Sequence, residues 1–139
     1  MKKIEYLIEK MELLKTDDDF DYKMYDELDL VKIEDVDILD IELILRFMED
    51  NQDIDFGSPG SLVHFLEKYY QKGYEKLLVE SIKRTPTLHT LWMLNRIING
   101  EEEKKRSEYL ELLKIVSQAE IDYKIRASAK EYFDFQLNP

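Results

Sequence analysis

The sequence predicts an all-α fold: a single domain of about seven or eight helices, laid out as paired antiparallel helices in a HEAT-like or TPR-like stack. Three observations lead there. Apolar residues return every three or four positions along nearly the whole chain, the period of an amphipathic helix. Only four glycines and three prolines interrupt 139 residues, and most of them fall between apolar runs. The length itself is that of one ordinary domain, able to bury a core without disulfides or metal staples. No repeat recurs at a fixed period, so the stack is read from helix pairing alone.

Ile4, Leu7, Ile8, Met11 and Leu14 set out a first helix over about residues 2–16. Asp17-Asp18-Asp19 ends it, and a short helix is expected from Tyr22 to Leu30. The alternation in Leu28-Asp29-Leu30-Val31-Lys32-Ile33 also fits one short strand, and the sequence leaves the two readings open. Asp35 or Asp37 can cap a third helix running to about Asp50, since a carboxylate accepts the free N–H groups of a first turn. Its apolar residues, among them Leu39, Leu43, Leu45 and Met48, cover most of the circumference, which predicts packing from two sides.

Gly57-Ser58-Pro59-Gly60 is the clearest turn, with Ser58 or Ser61 expected to cap the helix carrying Leu62, Phe65, Leu66 and Tyr69. Gly73 separates it from a helix with Tyr74, Leu77, Leu78 and Ile82. Thr85-Pro86 reads as an N-cap followed by proline at the first helical position. That helix, with Leu88, Leu91, Trp92, Leu94 and Ile98, stops at Asn99-Gly100. Two more follow, one through Tyr109, Leu112, Leu113 and Val116, the other through Ile121, Ile125, Ala129 and Phe133. Lys104-Lys105-Arg106 follows three glutamates and reads as a solvated, internally paired helix face.

Charge divides the chain unevenly. Residues 1–56 hold 19 acidic and 7 basic side chains, a balance of −12, whereas residues 57–139 are nearly neutral. Such a field repels nucleic acid and anionic membranes and attracts basic partners. No stretch is long and apolar enough for a transmembrane helix. The N-terminus turns acidic at once, unlike a secretory signal, and the absence of cysteine suits a reducing cytoplasm.

Catalytic chemistry has little to work with. There is no cysteine, no Gly-x-Ser-x-Gly elbow, no Walker loop and no dinucleotide-binding glycine pattern. Asp17, Asp19 and Asp21 match the first, third and fifth positions of an EF-hand loop. Tyr22 stands where that loop needs glycine and Leu28 where it needs glutamate, so calcium is not expected. His64 and His89 fall in different helices and form no metal-ligand pair. Neither a metal nor another cofactor is expected, and no catalytic residue is assigned.

Two surfaces carry binding potential. The acidic part offers Asp17, Asp18, Asp19, Asp21, Asp26, Glu27, Asp35 and Asp37 to a cationic partner. Tyr6, Tyr22 and Tyr25 lie among these acids, and their ring faces add attraction for cations. The alternative is His89, Trp92 and Arg96, which share one flank of their helix, with Trp and Arg being residue types enriched at binding hot spots. Against it stands the reading in which Trp92 simply fills the core.

Two stretches carry a family resemblance: Gly57-Ser58-Pro59-Gly60-Ser61-Leu62-Val63-His64 and Thr85-Pro86-Thr87-Leu88-His89-Thr90-Leu91-Trp92-Met93-Leu94-Asn95-Arg96-Ile97-Ile98-Asn99. With the helices after them, over about residues 57–135, they resemble a small all-helical group of bacterial polymorphic-toxin immunity proteins, including those of contact-dependent inhibition systems. The resemblance implies a cytoplasmic, non-enzymatic inhibitor that binds one cognate toxin domain. A toxin acting on nucleic acid needs a basic cleft, which the −12 segment would complement. The competing expectation is a helical-repeat scaffold or adaptor with no toxin partner.

Overall fold

A computed structural model describes residues 2–139. Among them are eight α-helices and no strand: α1 (Lys3–Leu14), α2 (Phe20–Asp29), α3 (Ile41–Asp50), α4 (Ser61–Glu67), α5 (Tyr74–Arg84), α6 (Leu88–Asn99), α7 (Glu103–Ser117) and α8 (Tyr123–Leu137). The all-α expectation holds. The chain divides into two compact units, Met1–Ser81 and Ile82–Pro139, with the boundary inside α5.

In the first unit α1 and α2 form an antiparallel hairpin. Each turns one apolar stripe inward: Ile4, Leu7 and Met11 from α1, and Phe20, Met24 and Leu28 from α2. Helix α3 packs beside α1, while α2 lies against α4. The Phe20 and Phe47 rings stack with centroids 5.9 Å apart, and Phe56 meets both edge-on at 6.0 and 6.3 Å. These offset and edge-to-face arrangements are the favoured ones for ring quadrupoles. Glu49, although 7% exposed, accepts a 2.7 Å hydrogen bond from the buried Ser81 hydroxyl.

Several local expectations are corrected. Residues 28–33 are not a strand. Leu28 and Asp29 close α2, the Val31 N–H donates back to the Leu28 carbonyl at 3.0 Å, and Ile33–Asp35 is a 3-10 turn. The apparent alternation arose because buried Leu28 and Val31 are three residues apart, a helical spacing. Neither Asp35 nor Asp37 caps α3, which begins at Ile41 after a second 3-10 turn, Ile38–Asp40. Asp35 instead accepts the Lys32 N–H at 3.0 Å. Helix α3 buries Ile41, Ile44, Leu45, Phe47, Met48 and Glu49, about 200° of its circumference, while Leu43 stays 45% exposed and Leu39, before the helix begins, 71%.

Helix α4 takes its cap from elsewhere in the chain. Gly60, at φ +94°, occupies the N-cap position, where an added Cβ would lie 1.6 Å from the Phe56 carbonyl oxygen. Neither Ser58 nor Ser61 supplies the acceptor. The Asp21 carboxylate does, taking both the Ser61 N–H at 2.6 Å and the Ser61 hydroxyl at 2.7 Å.

In the second unit α6 packs on α7 and α8, which form an antiparallel pair. Leu91, Leu94, Ile98, Leu113 and Ala129 are fully buried. The cap of α6 is Thr87 rather than Thr85. Thr87 Oγ1 accepts the Thr90 N–H at 3.0 Å and Thr90 Oγ1 accepts the Thr87 N–H at 3.2 Å, which leaves Pro86 outside the helix. Both threonines are buried, so this reciprocal capping box satisfies donors that water cannot reach. The expectation for Lys104-Lys105-Arg106 fails at its last member. Arg106 donates to the Gln136 side-chain oxygen at 2.9 Å and to its backbone carbonyl at 2.6 Å. Gln136, 5% exposed, passes its own amide protons to Asn95 and Asn99 at 2.7 and 2.8 Å.

This polar network ties the end of α8 to α6 and α7. Arg106→Ala leaves the buried Gln136 oxygens short of a charged donor, so the variant should lose about 2 kcal/mol. Lys104→Ala on the same turn should lose less than about 0.5 kcal/mol. Urea unfolding of the two variants measures the difference.

Candidate functional site

The sequence places its acidic binding candidates on the α1–α2 hairpin and on the irregular chain before α3, and the fold gives them different tasks. Helix α1 closes when the Asp17 N–H bonds the Leu14 carbonyl at 2.9 Å. Asp17 then folds its side chain back, accepting the Asp19 N–H at 2.8 Å, while its second oxygen meets the Lys23 ammonium. The Lys23 hydrogen bond, helped by the Asp19 N–H, holds the Asp17 carboxyl below the usual carboxylate range. Lys23 is shifted upward by the same bond. Glu27 accepts the Tyr6 hydroxyl proton at 3.0 Å and lies 3.8 Å from the Lys10 ammonium. The seam between α1 and α2 is therefore internally neutralised. Asp21 faces the other way, into the start of α4.

Asp35 and Asp37 are exposed but not part of an all-acidic surface. They line an open groove together with Lys2, Lys3 and Lys72, whose floor is fixed by the Tyr69 hydroxyl donating to the Ile33 carbonyl at 3.1 Å. Burial, with Asp35 and Glu34 nearby, raises the Tyr69 hydroxyl above its ordinary pKa, so it stays a neutral donor.

Asp18, Asp19 and Asp26 remain turned to solvent. Helical geometry groups Asp26 with residues that the charge count did not single out: Tyr22, Tyr25, Asp26 and Asp29 fall within about a 100° arc of α2, opposite its buried stripe. Tyr22 is 76% exposed and Tyr25 36%. Among the described residues neither Asp26 nor Asp29 has a salt-bridge partner, and the arc carries no basic residue. Partial burial and the Asp21 and Asp29 carboxylates push the Tyr25 hydroxyl above its usual range. The spacing of positions 22, 25, 26 and 29 was the available signal for this face. Asp29 was missed because acids were counted by segment rather than by helix side.

The alternative flank on α6 is assembled as expected from its spacing. The His89 and Trp92 rings have centroids 5.5 Å apart, and the Arg96 guanidinium lies 5.3 Å from the Trp92 ring centre. All three side chains are half-buried, and Arg96 already covers Trp92. Asn95 and Asn99 are drawn away from that flank by Gln136.

The outer side of α2 offers a charged and aromatic contact face. Among the described residues no group of three or more His, Asp or Glu side chains is gathered closely enough to hold a metal ion. No helix of the described residues is long and apolar enough to cross a membrane. In comparisons with known proteins, no family model, curated protein or solved structure matches this chain.

Proposed function

We propose that this protein is an immunity-type inhibitor: a cytoplasmic, non-enzymatic protein that neutralises a cognate bacterial toxin domain by binding a basic surface on it. The observation that carries the reading is the outward face of α2, where Tyr22, Asp26 and Asp29 stand in solvent beside Asp18 and Asp19, with Tyr25 partly exposed among them. A balance of −12 over residues 1–56 surrounds that face, and like charges at this density repel one another in the free protein. A basic partner relieves the repulsion, and a toxin cleft built to hold nucleic acid has the matching sign. The resemblance of residues 57–64 and 85–99 to polymorphic-toxin immunity proteins points to the same partner. Inhibition then follows from occupying or occluding the cleft, with no bond made or broken.

The test is co-expression with any toxin domain that a neighbouring gene encodes, read out as growth, followed by binding kinetics on the purified pair. Reversing Asp18, Asp19, Asp26 and Asp29 to Lys should slow association about 10- to 100-fold at low salt while changing dissociation little. The difference should close towards 1 M salt, where the Debye length falls to ~3 Å. A binding surface at His89, Trp92 and Arg96 would behave oppositely, with Trp92→Ala speeding dissociation at every salt concentration. Unchanged association by the charge-reversed protein would sink the acidic-face reading.

A further inference from the structure

The aromatic rings of this chain show what the α2 face is built to accept. Two exposed rings are covered by cations of the same chain: Lys10 lies 5.8 Å from the Tyr6 centroid and Arg126 5.8 Å from that of Tyr123. Half-buried Trp92 is covered by Arg96 at 5.3 Å, and Lys68 lies 5.6 Å from the ring centre of Phe65, which is itself buried. The exposed rings of Tyr22, Tyr25 and Phe135 carry no such cation among the described residues, and Tyr25 packs on the His64 ring with centroids 6.3 Å apart. Tyr22 is the most exposed tyrosine among the described residues, at 76%. Its sequence neighbour Lys23 is held on the seam side by Asp17.

Each ring on this face also has a carboxylate one turn further along: Asp26 follows Tyr22 by four residues, and Asp29 follows Tyr25 by four. Side chains at that spacing are neighbours, with Cβ atoms about 5–6 Å apart. Resting on the inhibitor reading for its choice of partner, we propose that the outer face of α2 is an arginine-docking surface, each guanidinium lying on the Tyr22 or Tyr25 ring with its N–H fork on Asp26 or Asp29. Arginine suits the site better than lysine because its planar fork pairs bidentately with a carboxylate while its flat face stacks on a ring. The occupant is a protein surface presenting arginines, since the surrounding charge repels a nucleic acid.

The experiment uses the full chain with synthetic octa-arginine and octa-lysine peptides, by calorimetry and by backbone amide shifts. Octa-arginine should shift the amides of residues 22–29 and bind several-fold tighter than octa-lysine. Tyr22→Leu should weaken octa-arginine binding about two- to fivefold, the range of an exposed cation–π contact. Tyr22→Phe, which keeps the ring face, should bind like wild type. Circular dichroism should show that both variants keep α2, whose packing uses the opposite side of the helix. Equal affinity for the two peptides, or no loss in Tyr22→Leu, would overturn the proposal. Cognate toxin binding then separates the two readings: retained toxin binding with a ring-independent peptide response rejects arginine docking alone. Arginine-specific, Tyr22-dependent peptide binding by a protein that neither binds nor neutralises the toxin domain rejects the inhibitor reading alone.

Discussion

Leu94→Asp should unfold the Ile82–Pro139 unit. Leu94 lies in the middle of α6 with no exposed surface, and Leu91 and Ile98, three and four residues away on the same side, are equally covered. An aspartate there loses the transfer energy of the leucine, worth about 2–5 kcal/mol even for truncation to alanine. It also buries a carboxylate that must either stay charged without a partner or take up a proton. The combined cost, about 4 kcal/mol or more, is a large share of the 5–15 kcal/mol that holds an ordinary domain together. Leu88→Asp is the matched control, since Leu88 opens the same helix at 48% exposure and should cost less than about 1 kcal/mol. Thermal unfolding and amide exchange of α6 to α8 measure both. A Leu94→Asp protein that melts with wild type would mean that α6 does not lie in the core.

Leu94 also shows what the sequence made legible. In α1 and α7 the apolar period located the buried side, Ile4, Leu7 and Met11 in the first and Tyr109, Leu112, Leu113 and Val116 in the second, whereas Leu43 and Leu88 fit the period and stay exposed. Interactions that join distant residues left no such trace. Asp21 meets Ser61 across 40 positions and Arg106 meets Gln136 across 30, so each looked like one more surface charge in a charged chain. Charge and packing divide the chain at different places. The charge balance changes after residue 56, but compaction divides at Ser81 and Ile82, because Phe56 meets Phe20 and Phe47 edge-on and α4 packs on α2. Apolar packing, which defines a unit, is indifferent to the sign of the charges outside it. The face of α2 lies between these cases: the period placed Tyr22, Tyr25, Asp26 and Asp29 together, and only the fold showed that the neighbouring acids were already engaged.

Asp21→Lys should be the most damaging single charge reversal in the acidic part, through folding rather than binding. Its carboxylate is the acceptor for both the Ser61 N–H and the Ser61 hydroxyl, and Ser61 is 2% exposed, so water cannot replace it. Hydrogen bonds to a charged group contribute about 1.5–3 kcal/mol each, and a buried donor left without an acceptor forfeits its solvation as well. The other carboxylate oxygen faces Gly57, where an added Cβ would come within 2.7 Å of it, so the turn before α4 is fitted closely around this side chain. Lysine removes the acceptor and sets a positive charge beside backbone N–H groups that carry partial positive charge themselves. The loss should reach about 3–4 kcal/mol, against about 1 kcal/mol for Asp21→Asn, whose amide oxygen keeps a neutral acceptor in place. Asp18→Lys and Asp26→Lys, both on exposed positions, should fall within about 0.5 kcal/mol of wild type. Denaturant unfolding of the four variants ranks them, and equal stability of Asp21→Lys and Asp26→Lys would show that the Asp21–Ser61 clasp does not hold α4. If the ranking stands, a toxin-binding defect in any protein reversed at Asp21 reports a loosened α2–α4 contact, and only the Asp18, Asp19, Asp26 and Asp29 set reads the charge of the face itself.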